Sequence, residues 1–170
     1  MYGNRIPPAS EPLDGTAVLA RMIDGLAFRY HWATDGLRSE DFDFRPGLDC
    51  MSARELQEHV LYLALMIHQT VFDAAERGAF EKGDAETMRV RTLSLLEEAR
   101  DHLETLSDDA LGAHRVLKRD GAWFPVWNIM NGPLADALTH VGQLNSWRRL
   151  NGNPARRVDV FSGIPPENPS

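Results

Sequence analysis

Cys50 is the only cysteine in 170 residues, so no intrachain disulfide can form and a reducing compartment is compatible with the chain. Long apolar runs are also missing. Nothing approaches the roughly 20 consecutive apolar residues that cross a bilayer, and the start Met1-Tyr2-Gly3-Asn4-Arg5-Ile6-Pro7-Pro8 has no apolar core of the secretory kind. We therefore expect a cytoplasmic protein without a membrane partner. Positive charge is in deficit: 18 Lys and Arg against 25 Asp and Glu give a formal charge of −7, which repels a phosphate backbone. Nucleic acid is not an expected partner. The basic pairs Arg148-Arg149 and Arg156-Arg157 lack interleaved aromatics and suit helix-end and surface roles.

Several catalytic signatures are absent as well. The chain has no glycine-rich phosphate loop, no Gly-x-Ser-x-Gly elbow, and no nucleophilic triad that can be assembled from its residues. Internal repeats, low-complexity segments and any strand alternation that would support a sheet are missing too. The 43% hydrophobic and 25% charged fractions are those of an ordinary globular protein. At this length one core is the default, so residues 1–170 read as a single domain with a core over about 14–151 and a surface tail over 152–170.

Helical periodicity accounts for most of that core. The first stretch follows Pro12 and Asp14, carries Val18, Leu19, Met22, Ile23, Leu26, Phe28 and Tyr30, and ends near Gly36. The second begins at the capping-box pair Ser52 and Glu55 and repeats Leu56, His59, Val60, Leu63, Ile67, Val71 and Phe72 until Gly78, about 35 Å of helix. A third after Gly83 has Met88, Val90, Leu93, Leu96 and Leu103 on one stripe and Glu97, Glu98, Arg100 and Asp101 on another. From Ser107 to Pro133 glycines and prolines interrupt any long helix, leaving a long crossover with room for a short hairpin around Lys118 to Ala122. The last helix carries Leu134, Leu138, Val141, Leu144 and Trp147 and stops at Asn151-Gly152-Asn153-Pro154. The fold class is all-α, a four-helix bundle with a long crossover before the last helix.

Bundles of this kind build metal sites from His and carboxylate side chains that point inward from facing helices. Two pairs at four-residue spacing qualify, Glu55 with His59 and Asp136 with His140, because that spacing returns each pair to nearly one helix face. The alternative is a hydrogen-bonded core-edge His59, with Asp136 a helix-N-terminal acid that orients His140. The other histidines suit the role less: His68 lies half a turn from His59, His102 is among charged neighbours, and His114 is in the crossover. Tyr30, His31 and Trp32 read as packing residues. Trp123, Phe124 and Trp127 read as core or pocket wall, and Cys50 lacks an evident base.

The phrase Ser52-Ala53-Arg54-Glu55-Leu56-Gln57-Glu58-His59-Val60 resembles the second helix of the DinB/YfiT-like superfamily. Asp136-Ala137-Leu138-Thr139-His140-Val141-Gly142-Gln143-Leu144, followed by Arg148-Arg149 and Gly152-Asn153-Pro154, resembles its last-helix signature, His-x-x-x-His-x-Gly-Gln and then Arg, Gly and Pro. The resemblance covers about residues 14 to 165. It implies a four-helix bundle of up-down-down-up topology, frequently a homodimer, holding zinc or nickel on three histidines. Many members are described as metal-dependent hydrolases, and some relatives are thiol S-transferases. This chain departs from the pattern at position 136, where Asp stands for His; two imidazoles and a carboxylate still form a workable donor set for a divalent ion.

Three functions follow as expectations. The first is an enzyme that hydrolyses a small molecule, with the metal on His59, Asp136 and His140, Glu55 as a general base or as a support behind the ligands, and Gln143 orienting a ligand. The second is a transferase of low-molecular-weight thiols, in which Arg148 holds a carboxylate of the cofactor. The third is a stress-related, non-catalytic binding or dimeric scaffold protein whose pocket has lost its metal, since a fold alone does not establish an activity.

Overall fold

The structure is a computed structural model that describes residues 1–75, 78–80 and 82–166; the last four residues of the expected tail lie outside it. Four long helices dominate: α1 (Gly15–Thr34), α2 (Ala53–Val71), α3 (Ala85–Leu103) and, after the short α4 (Asp108–Ala113), α5 (Ala135–Leu150). Between α4 and α5 a two-stranded antiparallel hairpin pairs β1 (Arg115–Leu117) with β2 (Trp123–Pro125), its tight end closed by Lys118 N–H donating to Ala122 O. The all-α class holds. The hairpin falls where the turn residues place it.

Side-chain caps set the helix starts. Asp14 accepts from Ala17 N–H at 2.8 Å, and Asp108, from the first turn of α4, accepts from Gly15 and Thr16 N–H. Those donors have no intrahelical partner, so the two acids satisfy the start of α1 and tie α4 to it. Ser52 and Glu55 form the reciprocal capping box at the start of α2, as the sequence predicts. The end of α2 is earlier than expected. It stops at Val71 rather than Gly78, where Asp73 takes a left-handed conformation (φ 47°) and Ala74 N–H returns to Gln69 O. Asp tolerates that conformation better than most residues, and 19 residues give about 28 Å of helix instead of 35 Å.

Among the long helices, α1 packs on α3 and α5, and α2 packs on the same two. Ile23, Leu26 and Tyr30 of α1 meet Leu56 and Ile67 of α2, Met88 and Leu96 of α3, and Val141 and Leu144 of α5 in one buried core. Each such side chain contributes about 1.5–3 kcal/mol when fully buried. Polar contacts fix how the helix ends meet: Arg89 Nε donates to Thr34 Oγ1 (3.1 Å), Arg100 approaches Asp24 (3.7 Å), and Trp147 Nε1 donates to Met51 O (2.8 Å).

Some expected core positions face outward. Val18 and Val90 are exposed, and so are the hairpin-side aromatics Trp123, Phe124 and Trp127; none of the three is core, and Trp127 borders an open concavity with Leu19 and Leu111. Tyr30, His31 and Trp32 are buried as packing residues: His31 Nδ1 lies 3.2 Å from Tyr2 O, and Trp32 Nε1 donates to Asn4 O. No helix among the described residues is long and apolar enough to cross a membrane.

Candidate metal centre

Pro133 has no N–H to donate and Gly132 leaves helical geometry (φ −92°, ψ −111°), so the chain enters α5 through a widened turn over Met130–Leu134. Ala135 N–H reaches back to Met130 O across that turn. The first full turn of α5 then presents Asp136, and four residues on His140 lies on the same face, turned toward α2.

There the two helices bring together the three residues singled out by spacing. Asp136 Oδ2 lies 3.2 Å from His59 Nε2, and Asp136 Oδ1 lies 3.3 Å from His140 Nε2. The imidazoles meet edge to face with centroids 4.6 Å apart, and one donor atom from each of the three residues lies within 4.8 Å of the others. Side-chain exposures of 34% for His59, 47% for Asp136 and 13% for His140 leave the cluster open on one side. For nitrogen and oxygen ligands about 2.0–2.1 Å from a tetrahedral ion, neighbouring donors stand about 3.3 Å apart. The donor set and its separations therefore suit one divalent ion.

A further contact supports that fit. His140 Nδ1 lies 2.7 Å from Gln143 Oε1, a carbonyl oxygen that can only accept, so Nδ1 carries the proton. His140 Nε2 then faces a carboxylate oxygen 3.3 Å away. A cation held by that nitrogen and that oxygen suits their separation. Gln143, expected to orient a ligand, touches His140 on the side away from Asp136, a contact of the kind that holds a ligating ring in place.

The other two expected site residues are not brought to the cluster. Glu55 Oε2 accepts from Ser52 N–H at 2.6 Å and pairs with Arg45 at 3.2 Å, so the carboxylate expected to act as base or to support the ligands is engaged in capping α2. Arg148 is buried and donates to Ala33 O (2.8 Å), Asp35 O (2.6 Å), Gly36 O (3.2 Å) and Asn153 O (2.9 Å). It closes the carbonyl end of α1 with four of its five N–H groups, so the structure gives it a buried structural role away from the cluster. Sequence reasoning missed Tyr62, which stacks on His59 at 6.2 Å and meets Phe80 edge to face at 6.1 Å, so the two rings flank the cluster. Tyr62 is three residues from His59, a spacing that could have revealed it.

The remaining histidines lie elsewhere. His68 pairs with Glu98 of α3 at 3.0 Å and stacks on Phe72, whose other face covers His102, so His102 is less solvated than its charged neighbours suggest. His114 Nδ1 lies 3.1 Å from Thr70 O.

Fold and site together define a helical bundle carrying a His-Asp-His cluster with metal-ligand geometry. The fold is DinB-like: the crystal structure of a DinB-like protein, YjoA from Bacillus subtilis, matches it with a TM-score of 0.57 at 14% sequence identity, over 81% of this chain and 96% of that one. At that identity the likeness shows the fold alone. No family model matches the sequence, and no curated protein does either.

Proposed function

We propose that the protein is a metal-dependent enzyme, a hydrolase acting on a small molecule, with a divalent ion such as zinc or nickel on His59, Asp136 and His140. The observation that carries this reading is the convergence of three donor atoms within 4.8 Å from two helices, one of them oriented from behind by Gln143. A divalent ion there supplies Lewis acidity, which polarises a carbonyl or phosphoryl oxygen and acidifies water. The protein's own groups do the rest. His59, Asp136 and His140 would hold the ion, Tyr62 and Phe80 bound the approach, and the Asp136 carboxylate would be the nearest group to accept a proton from water. With Glu55 committed to its cap, Asp136 is the carboxylate placed for that step.

The accompanying architecture is an up-down-down-up bundle. Arg89 to Thr34 and Arg100 to Asp24 support opposite directions for α1 and α3, His68 to Glu98 supports a common direction for α2 and α3, and Arg148 to Ala33 places the ends of α5 and α1 together. Thiol transfer is the weaker reading, because the arginine that would anchor the thiol is consumed by α1. The discriminating experiment incubates zinc- or nickel-loaded protein with a panel of activated esters, amides and phosphoesters, and separately with an electrophile plus several thiols. Hydrolysis that needs no thiol and is lost in His140→Ala supports the reading. Saturable dependence on one thiol, or turnover that persists in His140→Ala, overturns it.

A further inference from the structure

The side of α5 opposite Asp136 and His140 faces a second concavity. Leu138, Gly142, Asn145 and Arg149 recur at three- and four-residue spacing, roughly half a turn round the axis from the His-Asp face, and form one wall of a groove of about 880 Å³. Arg29 and Trp32 of α1 supply a second wall. The segment after Pro154 lies across as a third, bringing Arg156, Arg157 and Val158. Hydrogen bonds hold that segment at both ends: Asn153 Nδ2 donates to Gly36 O (3.0 Å) and Asp41 Oδ2 (2.6 Å), and Ile6 N–H donates to Gly163 O (2.9 Å).

The charge in this groove runs against the rest of the chain. Four arginines line it and no Asp or Glu does, although acids outnumber bases 25 to 18 over the whole sequence. Arg156 reaches Asp35 only at 3.8 Å, and Arg29, Arg149 and Arg157 have no hydrogen-bond or ion-pair partner among the described residues. Guanidinium groups gathered without counter-charge are matched to carboxylate, sulfonate or phosphate oxygens.

Gly142 adds an independent observation. Glycine is disfavoured in a helix interior relative to alanine, yet a Cβ at Gly142 would meet nothing within 4 Å. The protein's own packing does not require glycine there. What its small size keeps clear is the groove. Trp32, Leu138 and Val158 line the same groove as the cations, and a volume in the range of roughly 300–1,000 Å³ is that of small-molecule sites.

We propose that this groove is a second binding site, separate from the metal centre, for a small organic dianion with an apolar body. Its acidic groups pair with Arg29, Arg149 and Arg157, and its body rests on Leu138 and Val158.

Naphthalene-1,5-disulfonate, an aromatic dianion that cannot be hydrolysed under assay conditions, is the probe, titrated by calorimetry at fixed ionic strength. One-to-one saturable binding is expected, much tighter than that of inorganic sulfate. The double variant Arg149→Gln/Arg157→Gln weakens it by about tenfold or more for each charge-assisted bond lost. Gly142→Leu removes it while circular dichroism and the melting temperature stay native, and His59→Ala leaves it unchanged. The proposal is overturned by absence of saturable binding, by equal binding in the arginine double variant, by sulfate binding as tightly as the disulfonate, or by loss of binding in His59→Ala. It is also overturned if sedimentation shows a dimer that Gly142→Leu converts to monomer, since a second copy would then cover the groove.

Discussion

Replacing Arg148 by methionine keeps most of the buried volume and removes the guanidinium that closes the end of α1. Four hydrogen bonds are lost, three of them to carbonyls of residues 33, 35 and 36, of which only Gly36 O keeps another side-chain donor, Asn153 Nδ2. Charge-assisted bonds contribute about 1.5–3 kcal/mol each when taken singly. They do not add here, because burial already penalises this cation, pulling its pKa below the ordinary arginine value, and Asp41 and Asp35 offset that only in part. We expect a net loss of about 3 kcal/mol, a large share of the roughly 5–15 kcal/mol that stabilises a domain. At about 2–4 °C per kcal/mol for a chain of this length, the melting temperature falls by about 6–12 °C. Urea unfolding should show the same loss with an unchanged m-value. Arg148→Lys falls between the two, since one ammonium cannot reach carbonyls in four directions. Below both transitions, metal uptake per folded molecule is the same as in the parent. A loss under about 1 kcal/mol, or a fully stable variant with a raised KM for a thiol, refutes the structural role and restores a ligand role.

Gln143→Leu removes the acceptor behind His140 and weakens zinc affinity by about 10- to 100-fold, with the fold intact by circular dichroism; unchanged affinity would mean that His140 needs no orienting partner. Glu55→Ala costs about 1 kcal/mol through the lost cap and leaves metal stoichiometry unaltered, whereas a loss of metal would return Glu55 to the site. His31 and His68 are both held below the ordinary histidine pKa, His31 by burial and by Arg89, His68 by burial against the pull of Glu98. The unfolded chain therefore binds protons first: stability is full above about pH 6.5 and declines as pH falls below it toward the folded values. Thermal melts between pH 7.5 and 5.5 should show that decline, with a smaller slope in His31→Gln.

The parts of this account that were legible in the sequence are those governed by local rules. Ser52 and Glu55 announce the start of α2, Asn151-Gly152-Asn153-Pro154 marks the end of α5, and the pairing of His140 with Asp136 follows from helix geometry. Where local signals were weak, expectation went wrong. Asp73 ends α2 without a glycine or proline to mark it, and α4 has only six residues beside Gly112. The double role of Glu55 was written in its own motif, since a residue that completes a capping box has a committed carboxylate. Arg148 was different. Three of its four acceptors lie more than 110 positions away, and only the packing of α5 on α1 brings them within reach. The same long-range packing gathers Arg29 with Arg149 and Arg157, which composition alone presents as scattered surface charge.

The central claim is that His59, Asp136 and His140 hold one divalent ion. Protein purified without a His tag, stripped with chelator and titrated with zinc and with nickel, should take up about one equivalent per chain. Anomalous scattering from the loaded crystal should place that ion between the two Nε2 atoms and the Asp136 carboxylate, and His59→Ala/His140→Ala should take up none. An uptake below about a tenth of an equivalent for either metal, or an anomalous peak away from these three side chains, contradicts the account.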